Sequence, residues 1–348
     1  MKDVATAAGV SPTAVSRHVN GRIDLPAETA ERIDGAIRRL NYRPNARARH
    51  LATGSTRTLG FITTDIGYPF FAAIASAAEE EVAKSGFSLA VFNSRNHVDR
   101  ELLFLSKIED GQLDGALFMT NHVDDGTLRD AINHCGKVVV LDEDVPGAKA
   151  PRIFVDNEAG GLVATRHLIA QGHRRIAFVS GPEGMTSSCE RFSGFRAALA
   201  EAGLMVDPDL VCFGVYEEAS GTEAFERLWG GPMRPTAILA TADLLAIGIL
   251  RATRAAKIKT PRELSVVGFD DMLHMDLLDP PLTAVRQSIH ELGRRGARVL
   301  LDLLAGKAET DVIERVPVEL ILRGSVAPPK PAGASALLVK SATGEEPR

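Results

Sequence analysis

Four polar side chains near the start of the chain share one helix face, because they are spaced at i, i+3, i+4 and i+7. They are Thr13, Ser16, Arg17 and Asn20. Val15 and Val19 of the same segment fall on the opposite, apolar side. Hydroxyl, guanidinium and amide groups are the donors that contact phosphate oxygens and base edges of duplex DNA. The face therefore has the chemistry of a nucleic-acid contact surface.

The elements around this face have the order of a helix-turn-helix. The segment 2–8 predicts a short helix, Gly9 a turn with positive φ, and Ser11 an N-cap followed by proline. A second helix over 12–19 carries the polar face, and a third over 26–40 closes the core. That third helix is expected to place Ala30, Ile33, Ile37 and Leu40 on one buried stripe, with His18 half-buried beside them. A three-helix bundle without any role in DNA binding has the same pattern.

Charge is distributed unevenly along the 348 residues. The net charge of −5 argues against a protein that binds nucleic acid. Residues 1–57, however, carry ten Lys and Arg residues and only five acidic ones. The rest of the chain holds thirty bases and forty acids. A small basic head on an acidic body is typical of a DNA-binding module joined to another domain, although a solvated charged face would look alike.

Residues 42–54, YRPNARARHLATG, continue the basic character beyond the third helix. Pro44 and Asn45 can begin a helix of about two turns, too short to persist alone in water, so a partner must order it. Asn45 and Arg47 are candidate DNA contacts. Leu51 is apolar within this basic segment and could wedge into a minor-groove base step. The alternative is that Leu51 packs against the third helix or the body.

The two segments KDVATAAGVSPTAVSRHVNG and LNYRPNARARHL resemble the LacI/GalR family of bacterial transcriptional regulators. The resemblance implies that Pro12, Thr13 and Arg17 lie at positions that read bases in the major groove. It also implies that Leu51 is the hinge residue that kinks the operator. Pro12 has no side-chain hydrogen-bond donor. At this base-reading position the chain therefore departs from the pattern of the family.

From Thr58 onward, short apolar strands alternate with amphipathic helices, which predicts parallel sheets covered on both faces. The predicted strands are 59–64, 88–93, 115–119, 138–142, 175–181, 237–241, 264–270 and 282–287. The predicted helices are 69–84, 98–110, 158–171, 190–202, 218–229, 243–256 and 289–305. We expect two lobes, 58–157 with 288–316 and 158–287 with 317–325, and three chain crossings. The resemblance extends to this region and implies a periplasmic-binding-protein-like core.

The domain prediction is therefore a helix-turn-helix head over 1–43, a hinge helix and linker over 44–57, and a core over 58–325. The last segment, 326–348, is rich in Pro, Ala, Ser and Gly and is predicted to be a disordered tail. Some proteins of the family that the chain resembles end in leucine heptads that join two dimers. Only Leu337, Leu338 and Val339 are apolar in this segment, so the resemblance implies a homodimer rather than a tetramer.

In two-lobed α/β folds the ligand lies at the carboxyl ends of the strands, and several side chains are predicted there. Phe70 and Phe71 could stack on a ring or belong to the core. Arg191 could donate hydrogen bonds to hydroxyl or carboxylate groups of a ligand. Asp243 and Asp270 could accept hydrogen bonds from the hydroxyls of a sugar, or they could instead cap helices. The resemblance implies that Arg191, Tyr216, Asp270 and Gln287 line an effector pocket, together with Ser187, Asp156 and Asn157. His173 is expected at a helix end rather than on a ligand.

Other chemistry finds little support in the sequence. No predicted strand precedes GxGxxG or GxxxxGK[ST], and HExxH, GxSxG and CxxC are absent, so no cofactor, metal or catalytic residue is expected. Cys135, Cys189 and Cys212 are expected to be free thiols. No apolar run of about 18 residues and no secretory signal is found, so we expect a cytoplasmic protein without membrane contact.

These observations together predict a sequence-specific transcriptional regulator. It would be a repressor that binds a near-palindromic operator as a homodimer and responds to a small polar metabolite such as a sugar. The alternatives are a solute-binding protein of transport and an enzyme that uses the crevice. The basic head and the missing secretory signal oppose the first, and the missing catalytic motifs oppose the second.

Overall fold

The computed structural model describes residues 1–19, 23–42, 54–272 and 274–330. The head consists of α1 (Lys2–Ala8), α2 (Pro12–Val19) and α3 (Ala27–Arg39). Gly9 ends α1 with a φ of 67°, and the Oγ of Ser11 accepts the N–H of Ala14 at 3.1 Å. The predicted turn and N-cap are therefore confirmed. The buried core of the head is Val4, Ala5, Ala8, Val15, Ile33 and Ala36.

One detail of the head differs from the prediction, and one predicted residue has a polar partner. Leu40 is 44% exposed, and Ala36, three positions after Ile33, fills the core where the stripe was expected to continue. His18 is half-buried, as predicted, and its Nε2 lies 3.0 Å from Oδ1 of Asp34. This polar contact links α2 to α3.

The first lobe has a six-stranded parallel sheet with helices on its faces. Its strands are β1 (Thr58–Thr63), β2 (Ser88–Asn93), β3 (Gly115–Phe118), β4 (Val138–Leu141), β5 (Arg152–Val155) and β11 (Ile313–Val316). Their spatial order is β11-β5-β4-β3-β1-β2. The helices are α4 (Pro69–Lys84), α5 (Val98–Glu109), α6 (Thr127–Cys135) and α11 (Ile289–Leu304), with α4 packed on α11 and α5 on α6.

The second lobe repeats this plan. Its strands are β6 (Ile176–Ser180), β7 (Val211–Phe213), β8 (Ala237–Ala240), β9 (Ser265–Asp270), β10 (Thr283–Gln287) and β12 (Val318–Ile321), in the order β12-β10-β9-β8-β6-β7. The helices are α7 (Asn157–Ala170), α8 (Thr186–Glu201), α9 (Glu218–Gly230) and α10 (Asp243–Ala255). All pairings are parallel except that of the edge strand β12 with β10, which is antiparallel.

The chain crosses between the lobes three times, after β5, after β10 and between β11 and β12, as the sequence predicts. Strands β5, β7, β11 and β12 and helix α6 were not predicted. Each of the four strands has only three or four residues, and β11 and β12 carry charged residues. Such short segments lack a clear periodic pattern.

The predicted start of the tail at residue 326 is wrong. Ser325 is fully buried, Val326 packs on the core of the second lobe, and the N–H of Ala327 donates to Oγ of Ser265 at 3.1 Å. The carbonyl of Ala327 accepts from Nε2 of His173 at 3.0 Å. His173, which follows α7, therefore anchors the chain end of the core, and residues 331–348 lie outside the described residues.

Candidate functional site

The polar face of α2 is presented by the head. Pro12, Thr13 and Arg17 are exposed, whereas Ser16 is half-buried. Val15, on the opposite side of the helix, is fully buried against α1 and α3, so the apolar side fixes which side faces outward. The other predicted DNA contacts, Asn20, Asn45, Arg47 and Leu51, lie outside the described residues. Their roles stay predictions from the sequence.

A cleft of about 780 Å³ lies between the two lobes. Its walls are formed by residues at or just after the carboxyl ends of nine strands, β1 to β4 in the first lobe and β6 to β10 in the second. This volume lies within the range of small-molecule sites. The cleft is therefore the candidate ligand site.

Seven of the nine predicted effector-pocket residues line this cleft. They are Phe70, Phe71, Ser187, Arg191, Tyr216, Asp270 and Gln287. Asp156 and Asp243 do not line it. Asp156 caps α7, where its Oδ1 accepts the N–H of Ala159 at 3.1 Å. Asp243 is buried, and its Oδ2 accepts the N–H of Met272 at 2.7 Å, so it braces the loop after β9.

Arg191, on the first turns of α8, is almost fully buried and held by groups of its own lobe. Its Nε donates to Oδ1 of Asn157 at 2.8 Å and its Nη1 to the carbonyl of Thr241 at 2.5 Å. The guanidinium carbon lies 3.9 Å from the centre of the Phe269 ring. Both hydrogen-bond acceptors are uncharged, so the positive charge of Arg191 remains available to the carboxylates of the cleft. Asn157 thus positions the side chain of Arg191 and does not itself line the cleft.

Asp270 ends β9 in a strained backbone conformation, with a φ of 95° that residues other than glycine rarely adopt. Its Oδ1 accepts from Nε2 of Gln287 at 2.5 Å, and its Oδ2 lies 3.4 Å from the N–H of Asp243. Burial raises the pKa of Asp270 to about 6, with Arg191, Gln287 and the Asp243 amide opposing that rise. The Oε1 atom of Gln287 is buried without a hydrogen-bond partner among the described residues.

The sequence analysis missed four acidic residues that line the cleft, Asp65 and Glu217 at exposed positions and Asp142 and Glu143 further inside. Asp142 and Glu143 follow β4 directly, and the prediction had assigned Asp142 to the strand itself. Asp142 has a φ of 69°, again in the left-handed region. Burial and the neighbouring Glu143 raise the pKa of Asp142 to about 7. Burial also raises the pKa of Glu143. Their position directly after a predicted strand was the signal that could have found them.

Aromatic rings form part of the wall on both sides. Tyr68, Phe70 and Phe71 come from the first lobe, where the centres of the two Phe rings are 5.3 Å apart in an edge-to-face arrangement. Tyr216 comes from the second lobe, and its hydroxyl lies 3.2 Å from Oγ of Ser187 and 3.0 Å from Oγ of Ser188. The Tyr216 ring sits so close to Gly181 that a Cβ there would collide with it. Rings on both sides suit a flat or ring-shaped ligand.

The lobes are also joined by polar contacts beside the cleft. The carboxylate of Glu143 in the first lobe accepts the N–H of Ser187 at the start of α8 in the second, at 3.1 and 3.3 Å. Arg315 of β11 binds Glu190 of α8 through both of its terminal nitrogens at 2.5 Å. Any change in the relative position of the lobes must alter these contacts.

Among residues 1–19, 23–42, 54–272 and 274–330, no group of three or more His, Cys, Asp or Glu residues is arranged to hold a metal ion. In the same residues, no helix has the length and apolar character to span a membrane. The three cysteines are free thiols.

Comparison with family models places two matches on the chain. Residues 1–45 match the model described as bacterial regulatory proteins, lacI family. Residues 165–326 match the model of the periplasmic binding protein-like domain. The matches correspond to the head with the start of the hinge segment and to much of the second lobe.

Similar proteins and structures cover nearly the whole chain. The HTH-type transcriptional repressor PurR of Pasteurella multocida (strain Pm70) is 33% identical over 327 residues, which are 94% of this chain and 98% of that protein. CytR of Escherichia coli (strain K12), also an HTH-type transcriptional repressor, is 31% identical over 93% and 95% of the two chains. The structure of the lac repressor dimer bound to operator and the anti-inducer ONPF superposes with a TM-score of 0.83 at 27% identity, over 93% of this chain and 98% of that one. The complex of the transcriptional regulator CelR with cellobiose gives 0.72 at 31% identity with the same coverage.

Proposed function

The chain belongs to the lacI family of bacterial regulatory proteins, and on that basis we propose that it is a repressor controlled by a small ligand. It binds a near-palindromic operator as a homodimer and carries the ligand in the cleft between its lobes. The observation that carries this proposal is the joining of an exposed polar helix face to a two-lobed cleft in one chain. It has no catalytic role.

The DNA-binding half of the proposal rests on α2. Thr13 and Arg17 are exposed there, and the buried Val15 fixes the helix on its neighbours. A second helix held in this way enters the major groove, where an Arg side chain can bind a guanine edge through two hydrogen bonds. A dimer presents two such helices, which is why a near-palindromic operator is expected. A repressor acts where the DNA is, so the proposed function implies a cytoplasmic protein.

The regulatory half rests on how the cleft is built. Thirteen of the lining residues belong to the first lobe and eleven to the second, so one bound ligand touches both. A ligand that fits one arrangement of the lobes better than another shifts the population toward it. The head precedes β1 of the first lobe, so a change in that lobe reaches the DNA-binding end of the chain. This is the linkage by which the ligand alters operator affinity.

The chemistry of the ligand is that of a small polar metabolite such as a sugar. Arg191, Asp270 and Gln287 bring a donor and acceptors together, and rings stand on both walls. CelR is described with cellobiose and the lac repressor as a dimer on its operator, which supports the same ligand class and assembly for this chain.

A solute-binding protein would have the cleft without the basic head. In a crevice enzyme we would expect a nucleophile beside a base. The hydroxyl of Ser187 instead has the Tyr216 hydroxyl as its side-chain partner in the described part of the chain. Both alternatives are therefore weaker than the regulator.

The experiment is selection of duplexes from a randomised pool with the full-length protein, followed by binding titrations of the selected sequence. We expect a near-palindromic consensus, two chains per duplex, and an affinity that falls with several powers of salt concentration. Failure to enrich any sequence over random DNA would contradict the proposal.

A further inference from the structure

The cleft contains more acidic than basic groups. The lining residues include five carboxylates, those of Asp65, Asp142, Glu143, Glu217 and Asp270, and two guanidinium groups, those of Arg95 and Arg191. Asp65, Arg95 and Glu217 are exposed at the rim, so water screens them. The inner part holds three carboxylates and a single guanidinium group.

Several of these inner groups already have protein partners. Glu143 accepts from the Ser187 amide, Asp270 accepts from Gln287, and Arg191 donates to Asn157 and to a backbone carbonyl. These contacts engage the donors of Arg191, whereas a carboxylate has about four acceptor sites, so Glu143 and Asp270 keep acceptor capacity for a ligand.

The inner groups without partners are mainly acceptors. In the described part of the chain no donor bonds the carboxylate of Asp142, although this residue lines the cleft. Oε1 of Gln287 is also an acceptor without a partner, and its side chain is more than nine-tenths buried. Both residues stand at the carboxyl ends of strands, Asp142 after β4 of one lobe and Gln287 at the end of β10 of the other. A buried acceptor left without a donor is costly, so Oε1 of Gln287 points to a donor supplied by the ligand, and the half-buried carboxylate of Asp142 is a second acceptor for such a donor.

We propose that the cleft takes a ring compound that bears a protonated amine as well as hydroxyl donors, and that it rejects phosphorylated or carboxylated relatives of that compound. This inference rests on the proposed function of the cleft and specifies the class of its ligand. An ammonium group supplies three donors, and its positive charge favours the ionised form of the three inner acidic groups. A ligand phosphate or carboxylate supplies only acceptors and adds repulsion, because Arg191 alone would have to balance it.

The aromatic wall supports the same class. Tyr68, Phe70 and Phe71 on one side and Tyr216 on the other offer apolar surface to the faces of a ring. A cation is also attracted to the faces of aromatic rings. The hydroxyl of Tyr216 is bonded to Ser187 and Ser188, so its ring, more than its hydroxyl, is left for the ligand.

The test uses the full-length protein and sets of compounds that share one ring. One set is glucosamine, glucose, glucose 6-phosphate and glucuronate, a second is the galactose series, and a third is 3′-amino-3′-deoxyadenosine, adenosine and adenosine monophosphate. Binding is measured by calorimetry and by thermal shift. We expect the amine member of at least one set to bind tighter than its neutral parent and at least tenfold tighter than its anionic relative. This ranking on the wild-type protein does not depend on any variant.

A charge variant adds a second measurement. Asp142→Asn should reduce the preference for amine over anion by at least fivefold, while Glu183→Gln, at an exposed position outside the cleft wall, should leave it unchanged. Equal or tighter binding of the anionic members, or no binding of any amine member at 10 mM, overturns the proposal. If an anionic compound binds and releases the operator, the regulator stands and this inference fails. If a compound binds the cleft and operator affinity does not change, the proposed function itself fails.

Discussion

The carboxylate of Glu143 in the first lobe accepts the backbone N–H of Ser187 in the second lobe, at the start of α8. Both residues are buried and both line the cleft, so this contact joins the lobes where a ligand would sit. The N-terminus of a helix attracts a negative charge, which strengthens the contact.

Glu143→Ala is expected to lower the free energy of unfolding by about 1–3 kcal/mol, because it leaves a buried amide without an acceptor. Hydrogen exchange at the Ser187 amide should speed up in the same variant. Urea unfolding and exchange mass spectrometry measure the two effects. Glu183→Ala, at an exposed position just before α8, is the matched control. Unchanged exchange at α8 would show that the contact does not hold the lobes together.

Glu101 predicts a pH dependence of stability. It is fully buried in the first lobe, accepts from Oγ of Ser94 and Oγ1 of Thr120, and burial raises its pKa to about 7. The folded state therefore retains a proton that the unfolded state loses near pH 4.5, so this contribution to stability is present below pH 4.5 and is lost as pH rises toward 7.

Glu101→Gln removes this titration. From pH 5 to pH 7.5 the wild-type protein should lose about 2 kcal/mol of unfolding free energy relative to the variant. Urea unfolding at a series of pH values gives the difference, and Glu80→Gln, at an exposed position, serves as the control. A constant difference across this pH range would mean that Glu101 is ionised in the fold.

Arg17 is exposed on α2 and is expected to contact a base. Arg17→Ala should weaken binding to the selected operator by about 1–3 kcal/mol and change binding to random DNA much less. Arg32→Ala, exposed on α3, is the control for loss of charge. Equal losses on both kinds of DNA would indicate that Arg17 touches only phosphate.

Asp114 holds the chain where it enters the first lobe. Its carboxylate accepts from the N–H of Thr56 at 2.7 Å, from Oγ1 of Thr56 at 2.8 Å, from the N–H of Arg57 at 3.0 Å, and from the Ser55 hydroxyl. These residues lie between the head and β1. Fixing them limits the positions that the head can take relative to the body.

Asp114→Ala should therefore weaken operator binding about tenfold, because the less restricted head of the variant loses more conformational freedom when it binds DNA. Ligand affinity should stay unchanged, because Asp114 does not line the cleft. Asp99→Ala, at an exposed position, is the control. Anisotropy titrations with operator, together with calorimetry with ligand, separate the two effects. If the variant binds operator as tightly as the wild type, Asp114 does not restrict the head in the way we describe.

Much of the architecture was predictable because it is periodic. Eight strands, seven core helices and the three lobe crossings followed from alternating apolar segments, and the cap at Ser11 followed from its neighbour Pro12. The short edge strands β7, β11 and β12 were not predicted because each has only three or four residues, and β11 and β12 also carry charged residues. Residues 326 and 327 looked like a tail because only the tertiary contacts with Ser265 and His173 hold them.

The cleft was less predictable than the fold. Sequence and resemblance together predicted that Arg191, Asp270 and Gln287 line one pocket. The sequence could not tell which acidic residues bond to the fold itself and which face the cleft. Asp156 and Asp243 are bound to backbone amides of their own lobe, and Asp142 is not. That distinction depends on backbone conformation, such as the positive φ of Asp142, which no local pattern encodes.

The measurement that tests the central claim most directly is operator affinity with and without a ligand that binds the cleft, on the wild-type protein and on Asp270→Asn. Arg191→Ala is less suitable, because Arg191 also bonds Asn157 and the Thr241 carbonyl. Saturating ligand should change the wild-type operator affinity by about fivefold or more. Asp270→Asn should bind operator within about twofold of the ligand-free wild type and need at least about tenfold more ligand to respond. An unchanged wild-type affinity, or a wild-type response in Asp270→Asn, would contradict the account.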